Sequence, residues 1–283
     1  MSVSEQKGIY WLASYPKSGN TWFRVFLAHM LAESDEGLDL NSIHTGAIAS
    51  GRAWIDEALG FDSANFTHDD LDALRPAVYR WHAEQAKTAE HHKTHDAYTY
   101  LPNGEALIPA QSSLGAVYFV RNPLDVAVSF ANHMDCSIDK SIESMRTPDF
   151  AFCKGNKKVH DQLRQQLLSW SMHVKSWCEA KDMNCLVLRY EDMKQAPLET
   201  FTRAANYLNL DASEERILRA LEHAHIDRLQ GLEQSGGFKE KPPKVKQFFR
   251  KGIVGDWKNV LTSQQIDTII HDHGEVMEAH GYI

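Results

Sequence analysis

Three short apolar runs, Gly8 to Ala13, Gly115 to Val120 and Cys185 to Leu188, have the length and composition of buried strands, and a helix-like stretch follows each. In Asn20 to Glu33 the residues Trp22, Phe23, Phe26, Leu27, Met30 and Leu31 recur at helical spacing and define one buried face. After Gly115 to Val120, Asn122 offers a capping side chain, Pro123 the fixed φ of a first turn, and Asp125 a charge matched to the positive helix end. Arg121 therefore falls at a strand-to-helix switch. Repeated strand-then-helix units with near-continuous apolar strands predict an α/β fold with a central parallel sheet flanked by helices. Such sheets bind ligands beyond the carboxyl ends of their strands, where the turns beginning at Ser14 and Arg121 both open. A long helix is expected over about 161–180 and a last one over about 263–280, with Thr262 and Gln265 as a capping box and Gly281 as a stop. Residues 136–158 are polar and irregular, which predicts a loop or lid.

The 283 residues suit one α/β unit with insertions, so a single domain over 1–283 is expected. A hydrophobic share of 43% and a charged share of 24% are those of an ordinary soluble globular protein, and no run approaches the roughly 20 apolar residues of a membrane helix. Met1 to Lys7 is polar, and Ser14 to Lys17 interrupt the apolar stretch behind it. This is not the pattern of a signal peptide, and a cytoplasmic protein is expected. Cys136, Cys153, Cys178 and Cys185 show no Cys-x-x-Cys pair, which fits reduced thiols better than bridges or zinc ligands. The net charge of −8 speaks against duplex nucleic acid as a partner. Locally, acids dominate Glu33 to Asp72, while Lys239, Lys241, Lys244, Lys246, Arg250 and Lys251 gather basic charge. That basic cluster reads either as a solvated surface or as a cationic lid over a small polyanion.

Tyr15-Pro16-Lys17-Ser18-Gly19-Asn20-Thr21-Trp22 lies between the first strand and the first helix. The first amides of a helix lack intrahelical acceptors and its dipole favours negative charge there, so the turn can hold a phosphate. Lys17 adds a full charge, and Ser18 and Thr21 add hydroxyls. A Walker loop places its lysine after the last glycine, whereas here Lys17 precedes Gly19.

That order, closed by Trp22, resembles the 5′-phosphosulfate loop of sulfotransferases that use 3′-phosphoadenosine 5′-phosphosulfate (PAPS). Three further segments follow in that family's order: Lys93-Thr94-His95, Arg121-Asn122-Pro123-Leu124-Asp125-Val126-Ala127-Val128-Ser129, and Arg250-Lys251-Gly252-Ile253-Val254-Gly255-Asp256-Trp257-Lys258-Asn259. Together they span residues 8 to about 265. On these motifs the chain is identified as a member of the PAPS-dependent sulfotransferases of the cytosolic type, which implies a P-loop nucleotide-kinase-like fold. The resemblance implies that Lys17 contacts the 5′-phosphate and the oxygen bridging to sulfur, within a cradle of Ser18, Gly19, Asn20 and Thr21. A cation at that oxygen is worth most in the transition state, as charge builds on it. Asn20 stands where threonine is common.

The resemblance further implies that Arg121 and Ser129 hold the 3′-phosphate and that Arg250, Lys251 and Gly252 close on it from the far side. Trp22 and Tyr190 would flank adenine. Phe238, nearer to Arg250 than is usual in the family, reads equally as a second adenine stack or as core. His95 would be the general base, its ordinary pKa of about 6.5 suiting proton acceptance from a hydroxyl near neutrality. Lys93, two residues earlier, would steady the transferring group. The implied reaction moves a sulfuryl group in line from PAPS to a small-molecule hydroxyl and leaves adenosine 3′,5′-bisphosphate (PAP), with no metal. Residues 36–110 and 136–160 would supply the acceptor pocket and lid. There Trp54, Phe61, Phe66, Tyr79, Trp81, Tyr98, Phe130, Phe150 and Phe152 read either as pocket lining or as core. The family's dimerisation element after Lys258 is partly present: Thr262 fits, while Ser263 and Asp267 replace the usual valine and glutamate. Monomer and homodimer both remain open.

Three other readings compete. His91, His92 and His95 could be metal ligands, because 91 and 95 share a face if this stretch is helical. An ATP-dependent kinase would want a strand-end acid for magnesium, and Glu191 and Asp192 are the candidates. A nucleotide-binding protein without catalysis would have no use for the intact set of Lys17, Lys93 and His95.

Overall fold

The structure is a computed structural model that describes residues 6–32, 39–43, 45–155 and 158–283. Parts of the acidic stretch 33–72, of the expected pocket segment 36–110 and of the expected lid 136–160 thus lie outside the described residues, as do Met1 to Glu5 and the expected end of the first helix at Glu33. The elements run β1 (Gly8–Ser14), α1 (Asn20–Leu31), α2 (Arg52–Leu59), α3 (His68–Gln85), β2 (Ala89–Thr94), β3 (Ser113–Val120), α4 (Pro123–Met134), α5 (Ile138–Arg146), β4 (Ala151–Phe152), β5 (Gln165–Gln166), α6 (Trp170–Cys178), β6 (Cys185–Arg189), α7 (Tyr190–Gln195), α8 (Pro197–Tyr207), α9 (Glu214–His223), α10 (Ile226–Gly236) and α11 (Ser263–Ala279). The fold is α/β, with a central parallel sheet of order β2-β1-β3-β6 flanked by helices. No helix among the described residues is long and apolar enough to cross a membrane.

The chain divides into two compact units. The first comprises the described residues of Met1–Tyr15, Gly46–Tyr118 and Thr147–Val187. All seven residues of β1 are buried, as its unbroken apolar run requires. The strand pairs in parallel with β2 from Gly8↔Ala89 to Ala13↔Thr94, so Ser14 and His95 leave the sheet side by side. Helix α3 starts on a capping box of Thr67 and Asp70 and carries the fully buried Arg75. That guanidinium pairs with Asp96 and Asp72 and also donates to the Tyr79 hydroxyl (2.7 Å). A charge this deep is tolerable only when paired and hydrogen-bonded.

The second unit comprises the described residues of Pro16–Thr45, Phe119–Arg146 and Leu188–Ile283. Phe23, Phe26, Phe119 and Phe201 form its aromatic core, with Phe26 and Phe201 only 4.5 Å apart and Phe23 and Phe119 4.8 Å. Each such ring contributes about 2–3 kcal/mol on burial. The first turn of α4 is a junction. Asn122 caps it through Leu124 N (2.9 Å) and donates its own amide to Glu191 (3.0 Å), while Asp125 accepts the amides of Gly255 (2.7 Å) and Trp257 (3.0 Å). Helix α11 begins on the expected Thr262–Gln265 capping box.

Two expected elements differ. The helix over 161–180 shrinks to α6: Gln165–Gln166 pair antiparallel with Ala151–Phe152, and the amides of Leu167 and Leu168 both donate to Phe150 O. Leu168 takes a left-handed φ of 59°, and only then does the Ser169 hydroxyl cap the helix through Met172 N. Conversely, the polar loop expected over 136–158 contains α5. Ser141 and Ser144 donate their hydroxyls to Ala127 O and Lys140 O, both at 2.9 Å, so residues that look solvated serve a buried face.

Candidate active site

In the second unit the loop ahead of α1 is built for an anion. Lys17 and Gly19 both have positive φ, 73° and 103°. Gly19 is the helix N-cap but has no side chain to accept the first amides, and the first turn holds no acid. Those N–H groups therefore face an anion rather than a capping carboxylate. The Ser18 hydroxyl is buried with no hydrogen-bond partner among the described residues. A Cβ on Gly19 would come within 2.8 Å of the Tyr190 ring, so only glycine fits beneath that tyrosine. A bare helix end, an unpartnered buried hydroxyl and a sterically required glycine fit a phosphate cradle. Thr21 is half-buried and Asn20 buried in the first turn. Trp22 meets the Tyr190 ring edge-on at 5.9 Å, so the two expected adenine neighbours lie together.

Arg121 lies between this loop and a second cationic segment. Its guanidinium donates to Lys17 O (3.2 Å) and Ile253 O (3.0 Å) and stacks 4.2 Å from the Tyr190 ring. Its Nε is buried without a partner among the described residues. Ser129 is partly exposed on α4. Arg250 and Lys251 both bond the carboxylate of buried Asp256, at 2.6 and 2.7 Å. Burial alone would push that carboxyl up, but the hydrogen bonds and charges of Lys251 and Arg250 hold it below the usual range. Gly252 supplies a positive φ of 61° at the turn that follows.

Tyr190 is buried, which pushes its hydroxyl pKa up, opposed by the Arg121 charge. Burial likewise pushes the Glu191 carboxyl up, opposed by the bond from Asn122 N. That bond commits one oxygen of the strand-end acid to the α4 amide rather than to a magnesium ion. Phe238 is buried against Phe248 (4.8 Å) and Phe249 (5.4 Å). The ring beside the loop is Phe248, with the Lys17 ammonium 4.1 Å from its centroid. Sequence reasoning missed Phe248; its signal was an aromatic pair immediately ahead of Arg250.

In the first unit, His95 follows β2 with its Nδ1 2.8 Å from Ser14 O. A carbonyl only accepts, so Nδ1 carries the proton and Nε2 is the basic nitrogen. The peptide is held as well. His173 Nε2 donates to His95 O (3.1 Å) and its Nδ1 accepts from the Tyr118 hydroxyl (2.9 Å), while Trp177 Nε1 donates to Asp96 O (3.0 Å). Burial lowers the His173 pKa to about 4 and keeps the ring neutral. Lys93 is half-buried on β2, with its carbonyl accepting from Ala49 N (2.8 Å). Because Ala89–Thr94 is a strand, the helical spacing that would have joined His91 to His95 as ligands does not exist.

The aromatic candidates of the acceptor segments divide by unit and by burial. Tyr79 and Tyr98 are buried in the first unit and Phe130 in the second, as core. Trp54 stacks on His82 (4.0 Å) and His92 (4.5 Å). Phe61 and Phe66 are exposed and stack on each other at 5.2 Å, Trp81 is exposed, and Phe150 meets Phe152 edge-on at 5.8 Å.

Residues 9–281 match the sulfotransferase domain family. Sulfotransferase 1E1 of Cavia porcellus is 28% identical over 267 residues, 89% of this chain and 77% of that protein. Flavonol 3-sulfotransferase of Flaveria bidentis is 24% identical over 285 residues, 96% and 82% of the two chains. Among solved structures, mouse sulfotransferase SULT7A1 complexed with PAP aligns with a TM-score of 0.60 at 20% identity, over 96% of this chain and 85% of that one. Retinol dehydratase in complex with androsterone and inactive cofactor PAP aligns at 0.63 and 19%, over 95% and 80%. At such identities the structural likeness bears on the fold.

Proposed function

The chain belongs to the sulfotransferase family, and on that premise we propose that it transfers a sulfuryl group from PAPS to the hydroxyl of a small phenol or alcohol. PAPS supplies the sulfuryl group. The α1 amides, Ser18, Gly19, Asn20 and Thr21 hold its 5′-phosphate. Lys17 sits at the end of that loop as the cation for charge appearing on the departing oxygen. Arg121, Ser129, Arg250, Lys251 and Gly252 hold the 3′-phosphate, and Trp22 and Tyr190 flank adenine, with Phe248 added to that set and Phe238 supporting it from behind. His95 Nε2 takes the acceptor's proton, and Lys93 steadies the transferring group. The enzyme works in the cytoplasm, as one sulfotransferase domain, either alone or as a homodimer.

The observation that carries this reading is the pairing of a bare helix end at Gly19 with a second, separate cation set. Arg121 bridges the two through its bonds to Lys17 O and Ile253 O. One phosphate needs one such site; two fit a nucleotide phosphorylated at both ends. Calorimetry without magnesium is expected to show PAP binding more tightly than ATP, and labelled PAPS with a panel of phenols and alcohols is expected to yield sulfated products by mass spectrometry. Magnesium-dependent ATP binding tighter than PAP, with phosphorylated products, would overturn it in favour of a kinase.

A further inference from the structure

Helix α10 reaches the segment ahead of Arg250 with two side chains. Glu233 is buried, and its two carboxylate oxygens accept the amides of Phe248 (2.8 Å) and Phe249 (3.0 Å). Gln230, three residues earlier and so on the same helical face, donates its side-chain amide to the carbonyls of Phe249 (2.9 Å) and Arg250 (2.7 Å). Four hydrogen bonds thus grip three consecutive residues. The segment is neither helix nor strand, so no ladder supplies partners for its peptide groups, and a buried peptide group must find one. Glu233 makes charge-assisted bonds, which are stronger than neutral ones, and Lys241 Nζ, 3.5 Å from its Oε1, offsets part of its charge.

We propose that Gln230 and Glu233 are positioning residues for the 3′-phosphate half of the nucleotide site. They set the backbone from which Phe248, Arg250 and Lys251 project, and Asp256 then aims the last two side chains. The inference rests on the assignment of Arg250 and Lys251 to that phosphate. It explains why a buried carboxylate stands on α10 at all: only an acceptor with two oxygens can take two neighbouring amides at once.

The test measures, for Gln230→Ala and Glu233→Gln, the affinities for PAP and for adenosine 5′-monophosphate, together with kcat and KM for PAPS. Each variant is expected to lose about tenfold in PAP affinity, since two hydrogen bonds of about 1 kcal/mol are removed or weakened. Binding of the monophosphate should stay put, so the preference for a 3′-phosphate falls by the same factor, and KM for PAPS rises while kcat holds. A residue that merely stabilises the fold would lower kcat through the active fraction and leave the preference intact; that result overturns the proposal. Arg250→Ala separates the two levels. If Arg250→Ala leaves the preference unchanged, the phosphate assignment fails, and the inference with it. If Arg250→Ala abolishes the preference but neither α10 variant alters it, the clamp alone is wrong.

Discussion

Lys17 and His95 are each fixed through backbone, but by opposite means. Around Lys17 the device is local: two positive φ angles within three residues, a glycine beneath a tyrosine, and a helix that starts at once. Around His95 it is distant: Ser14 from the neighbouring strand, His173 from α6, and Tyr118 from β3 behind it. Local turn geometry governs what binds and costs the fold little when altered. A buried network governs orientation and stability together, so it cannot be altered for one without the other.

The sharpest test of that contrast is His95→Ala, expected to lower kcat by about 10²- to 10⁴-fold, the usual worth of a general base, while PAP affinity survives. Full turnover in that variant would remove His95 from the chemistry. Next, Arg75→Ala leaves Asp96, the residue after the base, buried and unpaired; a loss of about 3–5 kcal/mol in denaturant unfolding is expected, with activity falling alongside it. Gly19→Ala should do the reverse, weakening PAP binding about tenfold through a left-handed backbone and the Tyr190 contact, with the melting temperature nearly unchanged. The smallest effect is with pH. His173 binds a proton below about 6.5 when unfolded but only near 4 when folded, so its contribution is complete above 6.5 and drains as pH falls toward 4. Stability should decline by about 1.4 kcal/mol per pH unit in that window from this group alone, and His173→Gln should remove that share of the slope.

What could be read in the chain follows the same division. The strands of the sheet, the Asn122 and Thr262 caps and the anion-ready turn at Lys17 to Thr21 rest on residues within a few positions of one another, and period, proline and glycine report them directly. Helix α5 was hidden because Ser141 and Ser144 bury hydroxyls that look solvated, and the start of α6 because Phe150, many residues earlier, claims the amides of Leu167 and Leu168. Around the base, Lys93-Thr94-His95 marked the place but not its support: nothing local ties Tyr118, His173, Asp96 or Arg75 to residue 95. Phe248 went unrecognised for a related reason, since an aromatic next to another aromatic reads as core until its neighbour across the fold, Lys17, is known.

Arg121 grips Lys17 and Ile253 by their carbonyls and not by their side chains. Every amino acid offers that carbonyl, so the grip is indifferent to what position 253 carries. Ile253 and Val254, both more than a third exposed, are therefore sites where a cysteine for a fluorophore or a surface tether can be introduced beside the nucleotide without disturbing the arginine that holds it. A reporter dye there would sense nucleotide arrival and departure in real time, turning a structural bond into a handle for kinetics.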